Sequence, residues 1–150
     1  TKSDIIPPQY VSEDAEIERS IIGEGTEIYG EVHNSVIGAG VIIGKGAVIK
    51  DSIIMRECVI GDNTQINRAI IAENAHIGAN SALGVGEYAP SKYDPKVYQF
   101  DLVTVGENTT IPDNVQIGKN TAIVGETTAE DYADGVLASG DYIIKAGGMR

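Results

Sequence analysis

The side chains able to carry acid–base or nucleophilic chemistry are few: the chain holds two histidines, His33 and His76, and one cysteine, Cys58. Two histidines cannot supply a three-histidine zinc centre. His76 directly precedes Ile77 and is expected to point outward, which leaves it open as a general base in principle. Three of the eleven basic residues are paired with an acid by spacing. Lys45 and Asp62, Arg56 and Glu73, and Asp51 and Arg68 each stand 17 positions apart, and such cross-strand pairs contribute about 0.2 to 1 kcal/mol each. Lys119, Lys145 and Arg150 have no partner assignable from spacing and are the candidate contacts for an anionic ligand. Neither G-x-G-x-x-G nor G-x-x-x-x-G-K occurs, so no phosphate-cradling loop is present. The acidic residues form no recognisable metal cluster. No catalytic, cofactor-binding or metal-binding residue is therefore assigned.

The elements that must position these residues are legible in a repeat. The aliphatic anchors Ile37, Ile43, Ile49, Ile54, Ile60, Ile66, Ile71, Ile77 and Leu83 follow one another at steps of five or six. Three steps make one coil, so Ile37, Ile54 and Ile71 mark the same side of successive coils at the interval that separates the charge pairs. Two places before each anchor stands a small residue: Ser35, Val41, Ala47, Ser52, Cys58, Thr64, Ala69, Ala75 and Ser81. Glycine follows many anchors, as at Gly38, Gly44, Gly61, Gly78 and Gly84, and is read as easing a corner. Neither an amphipathic helix nor an alternating antiparallel strand predicts this rhythm. It predicts an all-β, single-stranded, left-handed parallel β-helix of hexapeptide repeats, with five or six coils that bury their apolar side only by stacking. The same grammar starts earlier at Ala15 and Ile17, slips between Val32 and Ser35, and resumes from Thr109 and Ile111 to Ile123. Cys58 falls on an inward small position and is read as core packing.

The 150 residues are 42% hydrophobic and 22% charged, enough for one domain with an aliphatic core. A net charge of -11 disfavours nucleic acid and anionic membrane surfaces as partners. No apolar run approaches a bilayer span, and the cytoplasm is the expected location. Residues 1–10, with Pro7 and Pro8, read as an extended linker from a missing N-terminal domain, and residues 11–150 as the β-helix domain. Residues 85–104 break the rhythm as an insertion loop holding Tyr88, Tyr93, Tyr98 and Phe100, half of the chain's eight aromatics. It is either a flap over one flank or an interface. In the closing segment, residues 127–150, Thr127-Thr128-Ala129-Glu130 predicts one helical turn ending before Gly135, followed by a last strand from Val136 to Lys145.

The stretches IIPPQY at 5–10, IYGEVHNSVI at 28–37, VIKDSIIM at 48–55 and TVGENTTIPDNVQIG at 104–118 together resemble the C-terminal domain of bacterial glucose-1-phosphate adenylyltransferases. The resemblance covers nearly the whole chain. It implies a parent enzyme that joins ATP and glucose 1-phosphate, with Mg²⁺, into ADP-glucose and pyrophosphate for glycogen synthesis. The catalytic chemistry and the Mg²⁺ would reside in an N-terminal domain outside this segment. What falls to the segment is packing against that domain, assembly into a homo-tetramer or a hetero-oligomer with a paralogous subunit, and sugar-phosphate regulation. The arginine-rich C-terminal pattern of some family members is missing. Two alternatives stay open: a domain of a catalytically weak regulatory paralogue, or a hexapeptide-repeat acyltransferase using His76 with an acyl-coenzyme A.

Overall fold

The computed structural model describes residues 9–145. Short parallel strands wind around three sheets, each strand pairing with the one a full coil away. The first sheet stacks six strands from Tyr10–Val11 to Thr110–Ile111, the second seven from Glu16–Glu18 to Val136–Leu137, and the third seven from Ile21–Ile22 to Tyr142–Ile144. The result is a left-handed parallel β-helix. At about 4.8 Å per rung it forms a prism roughly 30 Å long. The second and third sheets have seven rungs rather than five or six. The extra ones come from the irregular ends, where the spacing departs from the regular coil: Ile17 pairs with Val32, two positions early, and Ile117 with Leu137, three positions late.

The slip near Val32 has a local cause. The corner between Ile28 and Val32 is two residues short, and Gly30 occupies the inward small position. A Cβ there would collide with the Ala47 carbonyl oxygen, so only glycine permits the shortened corner. The insertion departs between Leu83 and Val103, and the coil returns in phase. His76 pairs with Thr110, and Ala82 with Gln116, each at twice the regular coil interval.

Inside the prism the anchors form three aliphatic columns, with Ile28, Ile43, Ile60, Ile77 and Ile111 in the first sheet and their equivalents in the other two, nearly all inaccessible to solvent. The small column does more than leave room. Ser35 Oγ accepts the Ser52 N–H at 3.1 Å and donates to the His33 carbonyl at 2.8 Å; Ser52 Oγ accepts the Ala69 N–H at 3.0 Å and donates to the Lys50 carbonyl at 2.7 Å. Each hydroxyl thus satisfies backbone groups at a buried corner where the strand ladder is broken. Among the described residues no buried side-chain nitrogen or oxygen lacks a partner. Cys58 is buried in the core, and burial pushes its thiol pKa up.

The corner glycines work differently from their expected role. Of the five, only Gly84 has a positive φ, at 86°. Gly61 is required by closeness: a Cβ on it would lie 2.5 Å from the Ala79 nitrogen of the next coil. Asparagine takes half of the non-glycine left-handed positions, at Asn34, Asn63, Asn74, Asn80, Asn108, Asn114 and Asn120.

The C-terminal end closes through two short 3-10 turns, Ala129–Asp131 and Ala133–Gly135. Asp131 accepts the Thr128 N–H at 2.8 Å, so the capping partner is Asp131. Tyr132 is buried against the last coil with its hydroxyl 2.9 Å from Thr127 Oγ1, and burial pushes its pKa up to about 12. The single last strand expected from Val136 to Lys145 is two strands in different sheets, Val136–Leu137 and Tyr142–Ile144, separated by a corner at Gly140.

Candidate functional site

An open groove of about 600 Å³ lies on the outer face of the first sheet, lined by His76, Thr110, Asn74, Asn108, Glu126 and Lys145 among others. His76 and Thr110 are direct neighbours on adjacent rungs, and Asn74 Nδ2 donates to Asn108 Oδ1 at 2.7 Å. His76 is exposed, and among the described residues its ring has no hydrogen-bond partner. A base needs an orienting group to hold its tautomer and direction, and nothing in this groove supplies one.

Lys145 does have a partner, contrary to the spacing argument. Its Nζ lies 2.8 Å from Asp131 Oδ2, and the Lys145 hydrogen bond and the Thr128 N–H hold the Asp131 carboxyl below its ordinary pKa. The helical turn brings Asp131 to Lys145, and no step of one coil could reveal that pairing. Lys119 does not line this groove; its backbone N–H donates to Ser139 Oγ at 2.9 Å. Arg150 lies outside the described residues. The groove therefore offers an anion one lysine already neutralised by a carboxylate, with Glu126 beside it.

Of the three charge pairs set by the coil period, Arg56 and Glu73 meet, at 3.4 Å and both exposed. Asp62 instead accepts the Lys45 backbone N–H at 3.0 Å, and Asp51 accepts from Asn34 Nδ2 at 2.8 Å. Short acidic side chains at these corners cap the neighbouring coil's backbone and amide groups more readily than they reach a long basic side chain.

His33 gains a role that sequence reasoning missed. It bridges the first two coils, with Nδ1 3.1 Å from Glu18 Oε1 and Nε2 3.0 Å from Glu31 Oε1. Ionised carboxylates only accept, so two of them facing the ring favour the protonated imidazole, in which both nitrogens donate. Hydrogen bonds to Glu31 and then Glu18 raise its pKa accordingly. Glu16, Glu31 and His33 place potential ligand atoms within 4.8 Å of one another, and the contacts of both ring nitrogens with Glu18 and Glu31 are those of an ion-pair clamp. The available signal was the glutamates at 16, 18 and 31 around His33, hidden because the coil there is shorter than the regular period, as the pairing of Glu18 with His33 shows.

The insertion is strapped to the C-terminal coils. Asn120, buried, accepts the Asp101 N–H at 2.9 Å and donates to the Ala89 carbonyl at 3.0 Å. The Lys92 N–H donates to the Gly140 carbonyl at 2.8 Å, and the Tyr93 ring packs on Tyr142 with centroids 4.8 Å apart and on Tyr98 at 5.8 Å. Tyr88 and Phe100 remain 68% and 67% exposed. The loop is thus a flap on one flank, anchored through Tyr93, with Tyr88 and Phe100 left facing solvent.

A stack of hexapeptide coils with an aliphatic core, one flap and no assembled catalytic constellation among its described residues defines a hexapeptide-repeat β-helix domain. The chain belongs to the GlmU-like, C-terminal hexapeptide family, whose model matches residues 6–101. It is 61% identical over 147 residues to the glucose-1-phosphate adenylyltransferase of Lachnospira eligens, covering 98% of this chain and 35% of that protein. It is 40% identical over 147 residues to the same-named protein of Acetivibrio thermocellus, and 50% over 144 residues to that of Thermotoga neapolitana. The chain spans about a third of the length of these relatives. Among solved structures, the acetyltransferase domain of PglB from Neisseria gonorrhoeae superposes with a TM-score of 0.54 at 22% identity, over 89% of this chain and 56% of that one, a likeness of fold alone. No helix of the described residues is long and apolar enough to cross a membrane.

Proposed function

We propose that this segment is the non-catalytic C-terminal domain of an enzyme that makes ADP-glucose and pyrophosphate from ATP and glucose 1-phosphate. The observation carrying this reading is the 61% identity to the Lachnospira eligens protein across 98% of the chain, insertion included. The residues agree with it. Adenylyl transfer needs clustered metal and basic groups to neutralise phosphate charge, and this segment carries an unoriented His76 and a carboxylate-paired Lys145 instead. Nucleotide, sugar phosphate and Mg²⁺ then bind the remainder of the polypeptide, and the β-helix serves its assembly into an oligomer in the cytoplasm. A sugar-phosphate effector meeting Lys119, Lys145 or Arg150 here needs further basic groups from outside the segment, because the chain itself is at -11.

The test is nucleotidyl transfer by the native-length polypeptide, supplied with each nucleoside triphosphate in turn, glucose 1-phosphate and Mg²⁺. Turnover with strong preference for ATP is expected. Absence of turnover even with a catalytic partner subunit added overturns the reading in favour of a regulatory paralogue or an acyltransferase, and coenzyme A binding separates those two.

A further inference from the structure

The outward side chains of a β-helix coil take no part in its core, so their chemistry is free to serve a ligand. On the first sheet the outward column reads Ile42, Val59, His76, Thr110 and Glu126 in register. Ile42 and Val59 show that the column accepts aliphatic side chains. From His76 onward it carries an imidazole, a hydroxyl and a carboxylate on three successive rungs, about 4.8 Å apart. Beside it Asn74 and Asn108 form a second polar ladder, and both ladders open into the groove of about 600 Å³. The two amides use one donor and one acceptor on each other. Among the described residues Asn74 Oδ1, the Thr110 hydroxyl, the His76 ring and the Glu126 carboxylate have no hydrogen-bond partner within the chain, and Asn108 Nδ2 has none either. Polar groups converging on an open groove are satisfied by water, or by a ligand that reproduces water's hydrogen bonds.

We infer that this groove binds a neutral sugar, whose ring hydroxyls take the place of water on the two ladders. The lining disfavours the other ligand classes in turn. An anion meets a Lys145 already held by Asp131 at 2.8 Å, the carboxylate of Glu126, and a chain at -11. A zinc-type metal needs three protein ligands or more, and the groove supplies one imidazole and one carboxylate. No aliphatic or aromatic residue lines it, so an apolar ligand or a nucleobase has no surface to pack on. What the groove does offer is a mixture of donors and acceptors: the Asn108 N–H groups, acceptors at Asn74 Oδ1 and Glu126, a ring N–H on His76, and a hydroxyl on Thr110 that does both. A sugar hydroxyl is likewise donor and acceptor at once. Neighbouring hydroxyls of one ring can therefore share a planar amide or carboxylate, and the next rung repeats the contact. The groove's volume lies within the roughly 300 to 1,000 Å³ of small-molecule sites. Without an aromatic wall, the affinity rests on hydrogen bonds exchanged against water and falls in the millimolar range.

The experiment is saturation-transfer NMR on the native-length polypeptide with glucose, maltotriose and glycerol as probes, repeated on the His76→Val/Thr110→Val variant. Valine suits both positions because Val59 fills the same column one rung earlier. Transfer to glucose and maltotriose at millimolar concentration, and none to glycerol, is expected. The double variant should bind the sugars about tenfold more weakly, as the loss of two hydrogen bonds implies. Asn108→Gly provides a second reading on a corner instead of a strand: it removes the amide, keeps the left-handed backbone that Asn108 holds at φ 57°, and should weaken binding severalfold. The polypeptide read as an adenylyltransferase brings a sugar-phosphate site of its own, so the fall in these variants is what assigns binding to the groove. No transfer to either sugar, equal transfer to glycerol, or an affinity unchanged in either variant overturns the inference. Adenylyl transfer on the same preparations keeps it apart from the proposed function. Variant-sensitive sugar binding by a polypeptide without adenylyl transfer refutes the enzyme reading alone, and adenylyl transfer without such binding refutes the sugar groove alone.

Discussion

The third sheet is built the same way from end to end, yet its outer column is aliphatic over the first four rungs, Ile21, Val36, Ile53 and Ile70, and turns to Thr104, Ala122 and Tyr142 over the last, where the insertion packs Tyr93 on it. Its interior shows no such division. Ile22, Ile37, Ile54, Ile71, Val105, Ile123 and Ile143 line one column on the inner side of both halves. Burial on the inside follows from stacking alone, whereas burial on the outside depends on which other chain segment lies against the face. The ties differ too. The first coils are joined by a clamp at the surface, Glu18–His33–Glu31, and the last by a strap through Asn120 and Tyr93.

The largest effect should come from separating inside from outside on one strand. Ile54→Ala opens a cavity in the fully buried column and is expected to cost about 2 to 5 kcal/mol, while Ile53→Thr beside it keeps the β-branch on an exposed face and should stay within about 0.5 kcal/mol. Denaturant unfolding of both variants measures the gap, and equal losses would break the inside–outside distinction.

The strap comes next. Asn120→Ala leaves the Asp101 N–H and the Ala89 carbonyl without their partner and is expected to cost about 1 to 3 kcal/mol. Limited proteolysis should then cut within residues 85–102 first; cuts appearing equally in the first four rungs would show that the insertion is not tied there.

The clamp predicts a smaller, pH-dependent effect. Because the folded-state pKa of His33 is raised above its unfolded value, the clamp's stabilisation is fully present below the unfolded pKa of about 6.5 and is lost as pH rises through the folded pKa. Melting curves from pH 5 to 9 should show a decline in the parent chain that His33→Gln removes. An unchanged decline in the variant assigns it to another group. The smallest effect belongs to Arg56→Ala, whose exposed pair with Glu73 is worth about 0.2 to 1 kcal/mol and weakens with salt. Melting of this variant at low and high salt checks it, and a loss that salt leaves unchanged would show that the pair is not what Arg56 contributes.

Much of this was legible because each coil must supply its own anchors. A parallel stack with a fixed rise demands one inward aliphatic and one inward small residue per side, so the order Ser52, Ile54, Cys58, Ile60, Thr64, Ile66 reads directly as three sides of a rung. The left-handed corners were legible in principle and overlooked: Asn63 and Asn80 lie one coil interval apart and Asn74 and Asn108 two, the period written in asparagine. The glycines after the anchors are a poorer guide, because Gly61 answers to a neighbouring backbone and not to its own dihedral angle.

The sequence by itself determined the repeat, the inner columns and the site of the insertion, because those depend on local spacing repeated many times. Tertiary structure alone decided that Lys145 meets Asp131, that His33 is gripped by two glutamates, and that the insertion folds onto Tyr142. Those outcomes depend on where the short first coil, the insertion and the long last coil bring the chain back, and the closing distance of such a segment is set by the stack it returns to and not by its own residues.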